Sequence, residues 1–376
     1  MFHSYVVFPA LVRIIASRKK PNGVVFSETD VNLPDVSVII SVFNEEAIIR
    51  QKIESVFNTT FPRENLQVII GSDASTDGTN TILKELSAKY FNLKLHLFTD
   101  RGGKPNVINQ LVQKASTELV ILTDASGIFE RDTIFQMVKH FKNSEISVVG
   151  ANLVSDQTIG AGIGYQESSF MAKELRIKYY EGLAWGAVIG AYGACFAIRR
   201  VDYSPVPSNY LVDDFFVTMK VLKARKKVIY ELDSRCHLAV PKLLKEEFRR
   251  KTRIAAGNFQ NLSAFSSLLL GPTLPVSFCF WSHKVLRWLG PFFILAFLIS
   301  LPFLVHMTLY KIAALVAGIV LLMPIADYFM KKLGKHVVIL RFVTHFISMN
   351  AALFVGFLKY VKGIKTNAWQ PTKRNA

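Results

Sequence analysis

From Asp35 onward, short β-branched runs alternate with stretches whose apolar residues recur at helical spacing. Val36–Val42 reads as a buried strand, and Ile48, Ile49, Ile53 and Val56 predict a helix across 44–56. Leu66–Ile70 predicts a second strand that runs into a Ser/Thr/Asp/Gly turn, with a helix starting near Thr79. Leu93–Phe98 and Leu119–Leu122 predict two more strands, separated by a helix from about Pro105 to Lys114. This alternation predicts βαβ units on a largely parallel sheet, whose ligands sit at the carboxyl ends of the strands. Chemistry is therefore expected on the loops after Val42, Ile70, Phe98 and Leu122.

Beyond Leu262 the pattern becomes continuously apolar. Trp288–Tyr310 has no formally charged residue over 23 positions, and Ile312–Met330 has only Asp327 over 19. A bilayer crossing needs about 20 residues, so 288–310 and 312–330 are predicted to span. A third candidate, 342–358, is shorter and contains His345 and Asn350. Basic residues flank it on both sides: Lys331, Lys332, Lys335 and Arg341 before, Lys359, Lys362 and Lys365 after. The positive-inside bias would keep both ends cytosolic, which predicts a re-entrant or interfacial segment. Leu268–Leu286, with Pro272, Pro275, Trp281, His283 and Lys284, reads as amphipathic and interfacial. Residues 1–17 are apolar but too short to span, and Arg18, Lys19 and Lys20 follow them instead of preceding them, which predicts an interfacial helix and not a signal peptide. The expected organisation is an N-terminal segment (1–33), an α/β domain (34–262), an interfacial segment (263–287), a membrane region (288–362) and a basic cytosolic tail (363–376).

Charge supports the division. Of 45 basic and 28 acidic residues, positions 1–247 hold 29 and 27, whereas 248–376 hold 16 basic residues and one acidic residue, Asp327. A net charge of +17 concentrated among long apolar stretches is a cytoplasmic-face membrane signature, and no nucleic-acid partner is expected. Cys195, Cys236 and Cys279 form no CxxC unit, which argues against a disulfide framework or zinc knuckle and for reduced thiols.

Candidate chemistry gathers at the predicted strand ends. Asp73, Ser75, Thr76, Asp77 and Gly78 would suit a capped turn as well as a ligand loop. Asp124, in Thr123-Asp124-Ala125-Ser126, places a second carboxylate at the same edge, and two there can hold a nucleotide and its metal. Lys104 follows two glycines and suits a diphosphate, or is a solvated lysine. Asp213 and Asp214 open an apolar segment after Pro205 and Pro207, as catalytic acids or as caps favoured by the helix dipole. Arg249, Arg250, Lys251 and Arg253 could meet lipid headgroups or a leaving phosphate.

In order and spacing these segments resemble the inverting family 2 glycosyltransferases with a GT-A fold, especially the membrane-integrated branch of cellulose, chitin and hyaluronan synthases, over roughly residues 34–370. Ser37–Glu46 (SVIISVFNEE) is similar to the first strand and Asn-Glu loop, which implies Glu45 near the nucleoside. Leu66–Thr79 is similar to the second-strand motif, which implies that Asp73 contacts the base. Gly103, Lys104 and Asn109 match the glycine-lysine loop, which implies that Lys104 reaches the diphosphate. Asp124 falls on the first position of the DxD metal motif, Asp214 on the catalytic aspartate, and Ala191–Arg200 on an acceptor-side segment. The resemblance implies Mg²⁺ or Mn²⁺, a nucleotide-sugar donor taken as a UDP-sugar, a lipid-linked or polysaccharide acceptor, and a multi-pass plasma or inner membrane protein with a cytosolic catalytic domain. Two departures stand out: Ser126 occupies the third DxD position, and Arg250-Lys251-Thr252-Arg253-Ile254 stands where processive members carry QxxRW, keeping the arginine and losing the tryptophan.

On this reading Asp214 is the general base, with Asp213 beside it raising its pKa or capping the helix, while Asp124 with its metal, Lys104, Arg250 and Arg253 balance charge on the leaving diphosphate. Two alternatives stay open: a polyprenyl-phosphate glycosyltransferase, whose anionic acceptor needs no base, and a non-catalytic membrane subunit that retains the fold.

Overall fold

The computed structural model describes residues 2–20, 23–155, 163–238, 244–271, 273–335 and 337–364. Most of the expected basic tail, with Lys365, and Pro272 lie outside the described residues.

Helix Phe8–Ser17 (α1) precedes the sheet. Strand Val36–Val42 (β1) is followed by Ile49–Phe57 (α2), Leu66–Asp73 (β2), Thr79–Lys89 (α3), Leu93–Phe98 (β3), Lys104–Lys114 (α4) and Leu119–Asp124 (β4). β1 is buried on both faces, as its unbroken apolar run requires of a central parallel strand. It pairs in parallel with β2 and β4, and β2 with β3. The four predicted strands are all present, but β2 and β4 each run further than the sequence pattern indicates and end on Asp73 and Asp124. Both carboxylates thereby sit at the carboxyl edge.

The second half of the sheet comes from Ile128–Phe129 (β5), Ile146–Ser155 (β6), Cys195–Arg199 (β7) and Lys227–Leu238 (β8), with Thr133–Val138 (α5), Ile163–Trp185 (α6) and Asp213–Lys223 (α7) between them. The eight strands run in the order β3-β2-β1-β4-β7-β6-β8-β5. β7 enters antiparallel to β4, with Thr123 opposite Cys195, and this brings the 189–194 segment beside the end of β4.

Leu244–Ala264 (α8) leads to Leu274–Cys279 (α9), a π-helical turn Phe280–Val285 and Leu286–Trp288 (α10), which continue as one rod. Gly290–Leu304 (α11) meets that rod at 54°. The stretch 288–310, expected as one span, is therefore divided: α11 has 15 residues, and the following helix begins at Thr308. Pro291 at the start of α11 lacks an N–H, so the α10 helix stops and a new one begins. Thr308–Lys332 (α12) and Val338–Val361 (α13) are each long and apolar enough to cross a membrane, and the bent pair would make a third crossing if it counts as one. The segment 342–358, expected as re-entrant or interfacial, lies inside α13. Arg341, expected to flank it, lies within the helix and pairs with Asp327 of α12 at 2.9 Å. α13 packs on α8 at Gly356, where a Cβ would come within 2.4 Å of the Ala255 Cβ.

A buried ionic cluster ties the N-terminal helices to the domain. His283 lies between Glu181 (2.6 Å) and Glu174 (3.0 Å), and Lys284 also reaches Glu174 at 3.0 Å. Arg287 bridges Glu174 and the carbonyl of Ser4, the latter at 2.8 Å.

Candidate active site

The loops after β1 and β2 are clamped together. Asn44, at φ 54°, accepts the Thr76 N–H on its Oδ1 (2.8 Å), Glu46 accepts the Gly78 N–H (2.7 Å), and the Glu45 N–H donates to Thr79 Oγ1 (2.9 Å). Glu45 thus stands at the rim of the sheet edge. Asp73, 3% exposed, accepts the amides of Gly102 (2.7 Å) and Gly103 (2.9 Å), with Arg101 Nε at 3.7 Å. Gly103 has φ +79°, a conformation that favours glycine, and α4 starts at the next residue, Lys104. Within the protein, Asp73 shapes the loop that aims Lys104.

The Lys104 ammonium lies 2.7 Å from Asp124 Oδ1 and 3.6 Å from Asp213 Oδ2. Burial pulls its pKa down, but the carboxylates of Asp124, Asp213 and Asp214 outweigh burial and the net shift is upward. Asp214 accepts the Phe215 N–H on Oδ1 (2.7 Å) and the Gly193 N–H on Oδ2 (2.5 Å). Burial first, then Asp213, push its pKa up to about 6, against the opposing pull of Lys104 and the two amides. Arg253, on α8, donates to the Leu211 carbonyl (3.1 Å), and burial lowers its pKa while Asp213, Asp214 and Asp124 pull it up. Arg250 instead forks onto Glu247, Nε and Nη2 each at 2.9 Å. Arg253 thus feels the fields of Asp213, Asp214 and Asp124, and Arg250 is paired with Glu247. Asn109 holds the proline loop, accepting the Tyr203 O–H (2.7 Å) and the Val206 N–H (2.9 Å).

A divalent cation at this edge would need hard oxygen donors. Asp124 and Asp213 already converge on one cation, the Lys104 ammonium, and supply the hard oxygens that Mg²⁺ or Mn²⁺ prefers. Among the described residues no group of three or more His, Cys, Asp or Glu side chains encloses a metal. The arrangement fits an ion held by Asp124 with further oxygens supplied from outside the chain.

Sequence reasoning missed Lys52. It is fully buried on α2 and donates to Thr123 Oγ1 (3.0 Å) and the Gly127 carbonyl, so it braces the turn that carries Asp124. Burial lowers its pKa to about 8. The signal was present in the sequence: Lys52 falls on the apolar stripe of Ile49, Ile53 and Val56. Lys52→Met leaves the Thr123 hydroxyl and the Gly127 carbonyl without this donor, and should cost about 1–3 kcal/mol in denaturant unfolding. An unchanged midpoint would remove the brace.

Residues 37–204 match the family model Glycosyl transferase family 2. The probable glycosyltransferase YdaM of Bacillus subtilis is 25% identical over 245 residues, 60% of this chain and 56% of that protein. The poly-β-1,6-N-acetyl-D-glucosamine synthase of Staphylococcus epidermidis is 24% identical over 233 residues, 60% and 55% of the two chains. This chain thus spans about half the length of these curated relatives. A mannosyltransferase from Pyrobaculum calidifontis, solved in complex with GDP-Man and Mn²⁺, superposes with a TM-score of 0.72 at 23% identity, over 94% of this chain and 95% of that one. The shared fold is the GT-A architecture, extended at the C-terminus by apolar helices.

Proposed function

Taking residues 37–204 as a family 2 glycosyltransferase domain, we propose that the chain is an inverting, membrane-bound glycosyltransferase. It transfers a sugar from a nucleotide sugar, a UDP-sugar in the first instance, to a hydroxyl of a glycolipid or cell-surface polysaccharide. One observation carries the reading: Asp214, its pKa pushed up to about 6, stands beside a lysine that links the Asp124 turn to Asp213. A base with a pKa near working pH is suited to take the proton of an attacking hydroxyl.

In this mechanism Asp214 receives the acceptor proton, with its carboxylate oriented by the Gly193 and Phe215 amides. Lys104 and Arg253 place positive charge where the leaving diphosphate gathers negative charge. Asp124 would hold Mg²⁺ or Mn²⁺, which when bound neutralises phosphate oxygens as a Lewis acid. A single displacement with one base inverts the anomeric centre. The basic, acid-poor C-terminal third favours a cytosolic catalytic domain above a multi-pass anchor.

The test is release of nucleoside diphosphate by detergent-purified protein with Mn²⁺, against a panel of UDP-sugars and GDP-mannose. Release from one donor, lost on chelation, is the expected result. No release from any donor, together with no nucleotide binding in calorimetry, would overturn the reading.

The acid limb of the rate profile offers a further check. Turnover needs ionised Asp214 and should rise with pH through about 6. Asp213 contributes to that elevation, so Asp213→Asn should move the limb to lower pH. A limb that stays in place would leave Asp213 as a helix cap alone.

A further inference from the structure

Between α6 and β7 the chain crosses from the buried ionic cluster to Asp214 in five residues, 189–193, and the amides of 189, 191, 192 and 193 and the carbonyls of 189, 190 and 192 all have partners. The Ile189 N–H donates to Glu181 Oε2 (3.3 Å), the Ala191 N–H to Thr218 Oγ1 (3.0 Å), the Tyr192 N–H to the Tyr230 hydroxyl (2.8 Å) and the Gly193 N–H to Asp214 (2.5 Å). Thr218 in turn donates to the Asp214 carbonyl at 2.7 Å, so α7 and this segment are laced together around the base. The carbonyls of Ile189 and Gly190 are both held by Lys178 Nζ, the first at 3.2 Å. Gly190 has φ +78°, and a Cβ there would come within 2.4 Å of the Phe215 ring, so the segment passes against the residue after the base with no room to spare.

Lys178 is an unusual choice for this task. It is 2% exposed, lies 4.7 Å from the Tyr192 ring centroid and 5.8 Å from that of Tyr230, and burial pulls its pKa down to about 7. Burying an ammonium is costly. The compensation is a single donor group with three hydrogens that fixes two consecutive carbonyls at once.

We propose that Lys178 is a positioning residue for the transfer step: by holding the carbonyls of Ile189 and Gly190 it sets the path of 189–193, and through the Gly193 amide it fixes the orientation of the Asp214 carboxylate. The inference rests on the reading of Asp214 as the base. Its hydrogen bonds run to these two carbonyls, on the Asp214 side of the segment, so its removal acts on the chemical step and spares donor binding.

The test compares the wild-type protein with Lys178→Met, full-length in detergent with Mn²⁺, using the nucleotide sugar on which the wild type turns over. The expected result is a kcat lower by about 10²-fold, the scale of a misplaced catalytic group, with donor KM and nucleoside diphosphate affinity unchanged. Amide exchange should accelerate in a peptide covering 189–193. Equal losses in kcat and donor affinity, or unchanged kcat, would overturn the proposal. If Lys178→Met does not fold, Tyr230→Phe removes the oxygen that holds the Tyr192 amide from the other side and must give the same loss confined to kcat; any other pattern overturns it. A wild type that neither turns over on any donor nor binds nucleotide in calorimetry would instead remove the glycosyltransferase reading, and the proposal with it, while the exchange result still reports whether Lys178 orders the segment.

Discussion

Asp214→Asn lowers turnover by about 10²- to 10⁴-fold, the range for loss of a general base, and leaves nucleotide affinity at the wild-type level. The two effects separate because of where the carboxylate sits. Its oxygens face the amides of Phe215 and Gly193, and the ion pairs of Lys104 run to Asp124 and Asp213 instead. Asparagine retains a carbonyl oxygen for one amide but has no basic site for an acceptor proton. Single-turnover kinetics and calorimetry on the same preparation check both halves. Retained turnover would assign the proton elsewhere and favour an acceptor that is already an anion, as in polyprenyl-phosphate transfer.

Lys104→Met weakens nucleoside diphosphate binding by about 10- to 10²-fold, from the roughly 1.5–3 kcal/mol of a charge-assisted hydrogen bond, and leaves the nucleoside alone nearly unaffected. A second effect follows from the same atom. Lys104 lowers the pKa of Asp214, so without it the acid limb of the rate profile shifts above 6. Asp213→Asn shifts the limb the other way. Opposite shifts from two neighbouring substitutions would be hard to obtain from a general loosening of the site. Equal weakening of nucleoside and nucleoside diphosphate would place the ammonium away from the phosphates.

Much of this sheet edge was legible because local rules act there. β1 to β4 are short apolar runs with turn residues after them, and the positions of Asp73, Lys104 and Asp124 follow from where those runs stop. What escaped depends on pairings distant in sequence. The antiparallel entry of β7, which brings Gly193 to Asp214, has no local signature. Lys52 and Lys178 look like ordinary helix-surface lysines until the opposite wall is known, although Lys52 breaks its apolar stripe. The apolar C-terminal helices begin and end at other places than the sequence pattern indicates, for a related reason. A count of uncharged residues does not register the break before Gly290-Pro291, and it stops at Arg341 because it cannot know that Asp327 lies opposite.

If α12 and α13 span a bilayer, that pair, at 2.9 Å between them, bears on how they enter it. A lone Asp or Arg costs about 2.5–3.5 kcal/mol to insert at the centre of a spanning helix and less near its ends, where Asp327 and Arg341 lie, so each helix delivered singly still carries an unbalanced charge. With only five residues between the two helices, the two charges cancel before either helix is exposed to hydrocarbon. Co-insertion as a preassembled hairpin is thus favoured over stepwise threading, and the order of events during biogenesis is written into two residues fourteen positions apart.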